Sequence, residues 1–328
     1  MDGITLGDAL IDGWQRGFPL VPEPFAALAA ALGAHEAAVI DTCERLQADG
    51  VLGRIGGLFA AGAGGAGALA ALQVPEHRLA EVAARVSRHA SVNHNYQREH
   101  RWNLWFVVHA ADRTALAQTL DDIEHQAGLP MLRLPMRRAY RIDLGFDRRG
   151  RVGRAVTTTR GEAPAPIAAA DWPLAALVEA GLPLQPRPFD AWAATLRLPP
   201  QAVLATLQRW LDDGTLRRFG LVVRHHELGF GDNAMAVFAP PEPRIDACGA
   251  ALALEPGVTL AYRRDSAHGW PYTLYAMLHG RDRDSVQAVL AGVIDRAGLR
   301  GVPHELLFSV RRFKQTGARR FREMADAH

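Results

Sequence analysis

One short polar segment holds an unusual density of titratable groups. The segment SVNHNYQREH (residues 91–100) places His94, Tyr96, Arg98 and His100 at every second position. In an extended chain alternate side chains share one face, so these four groups would form a row spaced roughly 6.5–7 Å apart. An imidazole titrates near neutral pH and can give up a proton, while a guanidinium binds a carboxylate through paired hydrogen bonds. We therefore take these four residues as the candidate catalytic set for proton transfer to an anionic substrate.

The overall composition limits the class of protein and the compartment in which this chemistry would take place. The chain has 328 residues, 48% of them hydrophobic, and a formal net charge of +2. This charge argues neither for nor against a polyanionic partner. Cys43 and Cys248 lie in helical contexts, which predicts free thiols and a reducing compartment. No charged signal region and no run of 18 apolar residues is found, so we expect a cytoplasmic protein. No CxxC or HExxH spacing predicts a metal held by the protein alone.

The chain contains an internal duplication. RGFPLVPEPFAALAAALG (16–33) resembles AGLPLQPRPFDAWAATLR (180–197), and ASVNHNY (90–96) resembles PGVTLAY (256–262). The second half repeats the tyrosine and arginine of the polar row but has Leu260 in place of the first histidine. The sequence therefore predicts either one competent catalytic row or two unequal sites.

Each half reads as two structural units of an α+β fold. Three short helical patterns lead into an alternating segment, which predicts a helix-turn-helix with a small hairpin wing. A β-α-β-β-α-β pattern follows, as in ferredoxin-like domains. The expected boundaries are 1–59 and 171–224 for the winged-helix domains, 60–146 and 225–328 for the ferredoxin-like domains, and 147–170 for a linker.

The two predicted recognition helices are poor candidates for reading DNA. The first, AHEAAVIDTCERLQADG, has one arginine, Arg45, against four acidic residues, and in the second Arg209 is followed by Asp212 and Asp213. Attraction to phosphates supplies much of the affinity for DNA, and neither helix is basic. We expect these domains to have a structural or dimerising role.

A winged helix followed by a βαββαβ domain is the architecture of Lrp/AsnC regulators. The segment HNYQREHRWNLWFVV, together with RGFPLV, GVLGRIG and RRFKQTGAR, resembles a more specific group, the siroheme decarboxylases. These Lrp-like enzymes remove carboxyl groups from siroheme on routes to heme d1 and heme. The double-length chain resembles the fused form of their two subunits. Thr316 departs from the pattern and places one anion contact in doubt.

The resemblance implies a pocket for a polycarboxylate macrocycle that brings its own iron, so no separate cofactor is expected. Either His94 or His100 would donate the proton, and one of them would alternatively ligate the substrate iron. The implied substrate-binding residues are Arg101, Trp105, Arg137, Arg138, Tyr262, Arg263, Arg264, Arg311 and Lys314.

Several expectations accompany this resemblance. His109 and His279 recur at strand ends, which favours capping or structural hydrogen bonding. The expected partners are siroheme and either a second copy or a second decarboxylase-like chain, with DNA unlikely and no membrane. The competing hypotheses are a DNA-binding Lrp/AsnC regulator and a tetrapyrrole sensor without catalysis.

Overall fold

The computed structural model describes residues 5–60, 63–142, 166–223, 232–317 and 320–321. Residues 147–165 of the expected linker and the expected boundary at 225 lie outside this part of the chain. The first half contains α1 (Leu6–Trp14), α2 (Pro24–Leu32), α3 (Glu36–Ala48), β1 (Leu52–Phe59), β2 (Ala66–Leu72), α4 (Leu79–Arg88), β3 (Val92–Arg98), β4 (Leu104–Ala110), α5 (Arg113–Ala127) and β5 (Met131–Ile142). The second half contains α6 (Trp172–Ala180), α7 (Pro188–Leu196), α8 (Pro200–Asp212), β6 (Leu216–Val223), β7 (Asp232–Phe238), α9 (Ile245–Leu252), β8 (Val258–Arg264), β9 (Leu274–Gly280), α10 (Arg283–Arg296) and β10 (His304–Gln315).

Local sequence signals set the limits of several helices. Pro24 and Pro188 occupy the first helical positions of α2 and α7, where a missing amide proton costs nothing. Gly33 ends α2 in the left-handed conformation, at a φ of 63°. The expected tandem α+β fold is confirmed, since each half runs from a helical domain into a βαββαβ domain.

The expected hairpin wing is wrong. Among the described residues one strand follows the helices in each half, and β1 pairs antiparallel with β6 of the other half, with Gly56 opposite Gly220. Gly57 permits helix α6 to pack on this ribbon, because a Cβ there would collide with Val178. The backbone hydrogen-bonding groups that would face a second hairpin strand are thus paired with the strand of the other half. The helical domains of both halves share one apolar core.

The ferredoxin-like domains close into a single barrel. Its eight strands run in the order β10-β3-β4-β2-β5-β8-β9-β7. Strands β5 and β10 are 12 residues long and each joins both halves. Strand β5 pairs first with β2 and then with β8, while β10 pairs first with β7 and then with β3. The interior of the barrel is therefore the place where the two halves meet.

The two faces of the barrel wall differ in what covers them. On the outer face the helices α4, α5, α9 and α10 bury one apolar core in each half. On the inner face, residues from both halves form a separate cluster. Its buried members are Leu69, Ala71, Trp105, Leu132, Leu134, Met235, Val237, Trp270, Tyr272, Tyr275 and Leu307.

Two further sequence expectations can be compared with the structure. Cys43 and Cys248 are both free and buried. No single helix among the described residues is long and apolar enough to cross a membrane, although α2 and α3 meet that standard together as one bent pair.

Candidate functional site

Strand β3 turns three of the four candidate catalytic residues into the barrel. Tyr96 lies opposite Trp105 of the inner cluster, and His94 lies opposite Val107. Asn95, between them, points outward and donates to the Ala83 carbonyl of α4 at 3.0 Å. The alternation expected from the sequence therefore holds for His94, Tyr96 and Arg98, despite a bulge after Val92.

His100 lies outside this row, because β3 ends at Arg98 and the chain bends. Its Nε2 is 2.7 Å from Glu305 Oε2, and its Nδ1 accepts the Trp102 amide at 3.0 Å. Its ring also stands edge-on to Trp270, with centroids 5.4 Å apart. Both ring nitrogens are thus occupied in a contact that joins the two halves. The expected row of four side chains is a row of three.

His94 and Tyr96 present free polar atoms to the inner face. Their rings stack with centroids 6.2 Å apart, and neither side chain has a hydrogen-bond partner among the described residues. Burial lowers the pKa of His94 to about 4. Burial also raises the pKa of Tyr96, against the opposing charges of Arg98 and Arg312. Both groups are therefore neutral at pH 7.

Two guanidiniums are buried inside the barrel with no carboxylate partner in the part of the chain that the structure describes. Arg98 donates to the Leu307 carbonyl at 3.1 Å and to Ser309 Oγ at 3.0 Å. Arg264 donates to the Leu134 carbonyl at 3.0 Å and lies over the Tyr262 ring at 5.3 Å. Burial lowers the pKa of both, that of Arg98 to about 10. A guanidinium is so basic that it keeps its proton in proteins, so both are charged at pH 7.

Three other predicted substrate-binding arginines lie on the outer surface. Arg137 pairs with Asp265 at 2.5 Å, and Arg138 lies 3.3 Å from Asp246. Arg263 precedes Arg264 on β8 and so points the other way, where it pairs with Glu242 and Asp246. These three cations are neutralised by carboxylates, and the structure does not bring them to the inner face.

Two further predicted cations also face away from the interior. Lys314 donates to the carbonyls of Ser87 and His89, at 2.8 and 2.9 Å, and so satisfies the C-terminal end of α4. The exposed Arg311 stacks over Phe313, 4.9 Å from the ring centroid.

The remaining predicted substrate-binding residues are Arg101, Trp105 and Tyr262, and their surroundings differ. Arg101 donates to the Gly269 carbonyl at 3.0 Å and lines, with His100, an outer cleft of about 380 Å³. Trp105 is 2% exposed and packs against Trp270, so its ring is already covered. Tyr262 faces inward, and burial raises its pKa to about 12.

His109 is a second inward imidazole that the sequence reasoning missed. It lies two residues beyond Val107 on β4, and its buried Nδ1 has no hydrogen-bond partner within the described ranges. Burial, with the charges of Arg320 and Arg264 and the nearby His94, lowers its pKa to about 3. The expected capping role is wrong, because helix α5 is capped by the side chain of another residue, Asp112.

Two signals in the sequence could have identified His109 as a residue that points into the barrel. The first is its recurrence as His279 in the second half. The second is Gly67, which lies directly opposite on β2, where a Cβ would stand 2.9 Å from His109 Cδ2. The glycine leaves the space in which this imidazole sits.

Comparisons with known proteins identify the family. A model described as the siroheme decarboxylase NirDL-like HTH domain matches residues 8–52 and 174–217, and an AsnC-like ligand binding domain matches 63–141 and 227–314. The NirDL subunit of siroheme decarboxylase from Paracoccus denitrificans is 42% identical, over 97% of each chain. The chain belongs to the siroheme decarboxylase family.

The siroheme decarboxylase relatives also explain the double length. The separate NirD subunit of Pseudomonas aeruginosa is 50% identical over 43% of this chain and 94% of its own length. A crystal structure of a siroheme decarboxylase NirDL, in complex with an iron-uroporphyrin III analogue, superposes with a TM-score of 0.69. It is 28% identical and covers 97% of this chain and 94% of its own. This chain is therefore of the fused NirDL type.

Proposed function

We propose that this siroheme decarboxylase removes carboxyl groups from the acetate side chains of siroheme at the inner face of its barrel. The observation that carries the proposal is the pair of buried guanidiniums, Arg98 and Arg264, that have no carboxylate among the described residues. An unpaired buried charge costs several kcal/mol. A polycarboxylate substrate supplies the missing negative charge.

The chemistry requires one bond to break and one to form. The bond between the acetate methylene and its carboxyl carbon breaks, and carbon dioxide leaves. The electron pair stays on the methylene carbon, where the adjoining macrocycle delocalises it. A proton then adds to that carbon and leaves a methyl group. No oxidant is consumed, and the protein has to orient the carboxylate and supply the proton.

We assign these two tasks to neighbouring residues of β3. Arg98 lies deepest and has the planar donor geometry that orients a carboxylate. His94 supplies the proton, and Tyr96 between them hydrogen-bonds the same substrate or relays the proton. Because the ring nitrogens of His100 are already occupied, the choice between the two imidazoles falls on His94.

The pKa of His94 has to change for this role. Burial among the protein's own side chains lowers it to about 4, so the imidazole is neutral at pH 7. A carboxylate held close to an imidazole favours the protonated form and raises its pKa. The substrate's own carboxylates thus charge the acid as they bind. We propose that proton uptake accompanies substrate binding.

Both walls of the site come from a single chain, so no second chain is needed to close the barrel. Association with another copy or with a related subunit would add to this unit. The two free, buried cysteines suit a reducing compartment such as the cytoplasm.

The decisive experiment is anaerobic incubation of the purified chain with siroheme, followed by mass measurement of the extracted tetrapyrrole. The expected product has lost one or two molecules of carbon dioxide. A bound tetrapyrrole of unchanged mass would reject the enzyme and leave a sensor. The matched control is Arg263→Met, which removes a neighbouring but outward arginine and leaves the product unchanged.

A further inference from the structure

The C-terminal strand β10 carries two irregularities where it runs along β3. Its register shifts between Ser309 and Arg311, and again between Arg312 and Lys314. Regular alternation would place the side chains of Arg311 and Ser309 on one face and that of Arg312 on the other. Each bulge inserts an extra residue and reverses this alternation.

The result is that Arg312, and not Arg311, faces the candidate site. Arg312 lies directly opposite Tyr96, and its charge acts on the phenol to lower its pKa. Arg311 lies opposite Gln97 and stacks on Phe313, a residue that packs against the helix-side core.

Arg312 differs electrostatically from Arg137, Arg138 and Arg263, which are each paired with a carboxylate. Its Nη1 donates to Gln315 Oε1 at 3.1 Å, and no carboxylate pairs with it among the described residues. Gln315 in turn lies opposite His94. The side chain of Arg312 is exposed, so it stands at the rim of the inner face with its charge available.

The pseudo-equivalent position in the other half lacks this cation. There β5 runs along β8 with the same two register shifts, and Ala139 lies opposite Tyr262. Leu260 likewise replaces His94, as the matched pairing of β8 with β9 shows. The two halves thus share the buried arginine and the tyrosine, but only the edge between β3 and β10 adds a rim guanidinium and an imidazole.

We infer that Arg312, contributed by the second half, binds a substrate carboxylate at the rim of the first half's site, beside Tyr96. It thereby makes the β3–β10 edge the one where substrate is held for reaction. This inference rests on the proposed function for the identity of the substrate. The interaction is a charge-assisted hydrogen bond between the Arg312 guanidinium and a substrate carboxylate. Such a bond raises affinity roughly ten-fold or more.

The test compares full-length Arg312→Ala with Arg311→Ala, two neighbours that differ in the face they occupy. The probe is iron-uroporphyrin, whose binding is followed by absorbance titration at low and at moderate salt. We expect Arg312→Ala to weaken binding about ten-fold or more and to reduce its salt dependence, and Arg312→Lys to recover part of the loss. Arg311→Ala should bind as wild type does.

Two results would overturn the inference. One is wild-type affinity in Arg312→Ala, and the other is an equal loss in both alanine variants, which would indicate only a general effect of net charge. Circular dichroism and the urea midpoint establish that each variant is folded. Because the titration needs no turnover, a wild-type chain that binds the probe but releases no carbon dioxide from siroheme would reject the proposed function alone.

Discussion

Arg98 in the first half and Arg264 in the second are bound to the barrel wall in the same way. Arg98 donates to the Leu307 carbonyl of β10 at 3.1 Å, and Arg264 donates to the Leu134 carbonyl of β5 at 3.0 Å. Each arginine thus reaches the strand that the other half contributes. The duplication has kept a pair of buried charges whose only fixed partners are neutral. Such an arrangement serves binding better than it serves stability.

The variant Arg264→Met should separate the effect of this arginine on substrate binding from its effect on stability. Loss of the hydrogen bond to Leu134 costs about 1 kcal/mol, whereas removal of a buried unpaired charge has the opposite effect. We expect the free energy of unfolding to stay near that of wild type or to rise. Binding of iron-uroporphyrin should weaken about ten-fold or more. Urea unfolding and absorbance titration measure the two effects, and a variant that unfolds readily but binds normally would contradict this account.

His94→Leu copies the residue found in the second half at Leu260. Because a positioned acid contributes typically 10²- to 10⁴-fold, we expect carbon dioxide release to fall by about two orders of magnitude or more. Binding of iron-uroporphyrin should change much less, since the guanidiniums remain. Leu260→His is the matched control and should leave turnover near wild type. Turnover that fell only by half in His94→Leu would mean that both halves react.

Stability should fall as the solution is acidified from pH 6.5 to pH 4. The pKa of a histidine in the unfolded chain is about 6.5. Burial lowers that of His94 to about 4 and that of His109 to about 3. In this window the unfolded chain binds more protons, so the free energy of unfolding decreases as pH decreases. The stabilisation is complete above the unfolded pKa and is lost towards the folded one.

A variant of His109 can show how much of this loss of stability at low pH comes from that residue. In His109→Gln the free energy of unfolding should depend less steeply on pH in that window, by an amount on the order of 2 kcal/mol across it. Urea unfolding at intervals between pH 7 and pH 4 measures the slope. A His109→Gln slope identical to wild type would show that this imidazole titrates normally.

His100→Ala tests the removal of His100 from the catalytic set. Its imidazole bridges the halves through Glu305 and accepts the Trp102 amide, at the end of β3 beyond Arg98. We expect the free energy of unfolding to fall by about 1–2 kcal/mol, because both hydrogen bonds are lost. Siroheme turnover by the folded variant should stay close to wild type. Loss of turnover comparable to that in His94→Leu would return His100 to the catalytic row.

The expectations that the structure confirms rest on short-range sequence patterns or on the internal repeat. Strand alternation placed His94, Tyr96 and Arg98 on one face because the side-chain period of a strand is two, whatever the strand packs against. Self-similarity exposed the two halves and the replacement of His94 by Leu260. The βαββαβ order followed from the apolar patterns of the helices and strands.

The expectations that failed needed information from distant segments. Arg137, Arg138 and Arg263 were placed in a pocket because they are cationic, yet their carboxylate partners lie on the outer surface. Lys314 satisfies a helix end whose residues are more than two hundred positions away in the chain. His109 has room inside the barrel because Gly67 lies opposite it, and the charge of Arg264 acts on it there.

The sequence by itself therefore determined the duplication, the family and the inner face of β3, because each rests on short-range pattern or on residue identity. The tertiary structure alone decided which cations remain unpaired and which imidazoles converge. Barrel closure brings β10 of one half beside β3 of the other, and the bulge between Ser309 and Arg311 turns Arg312 inward and Arg311 outward. A bulge depends on how two strands pair, so residue spacing within one strand does not reveal it.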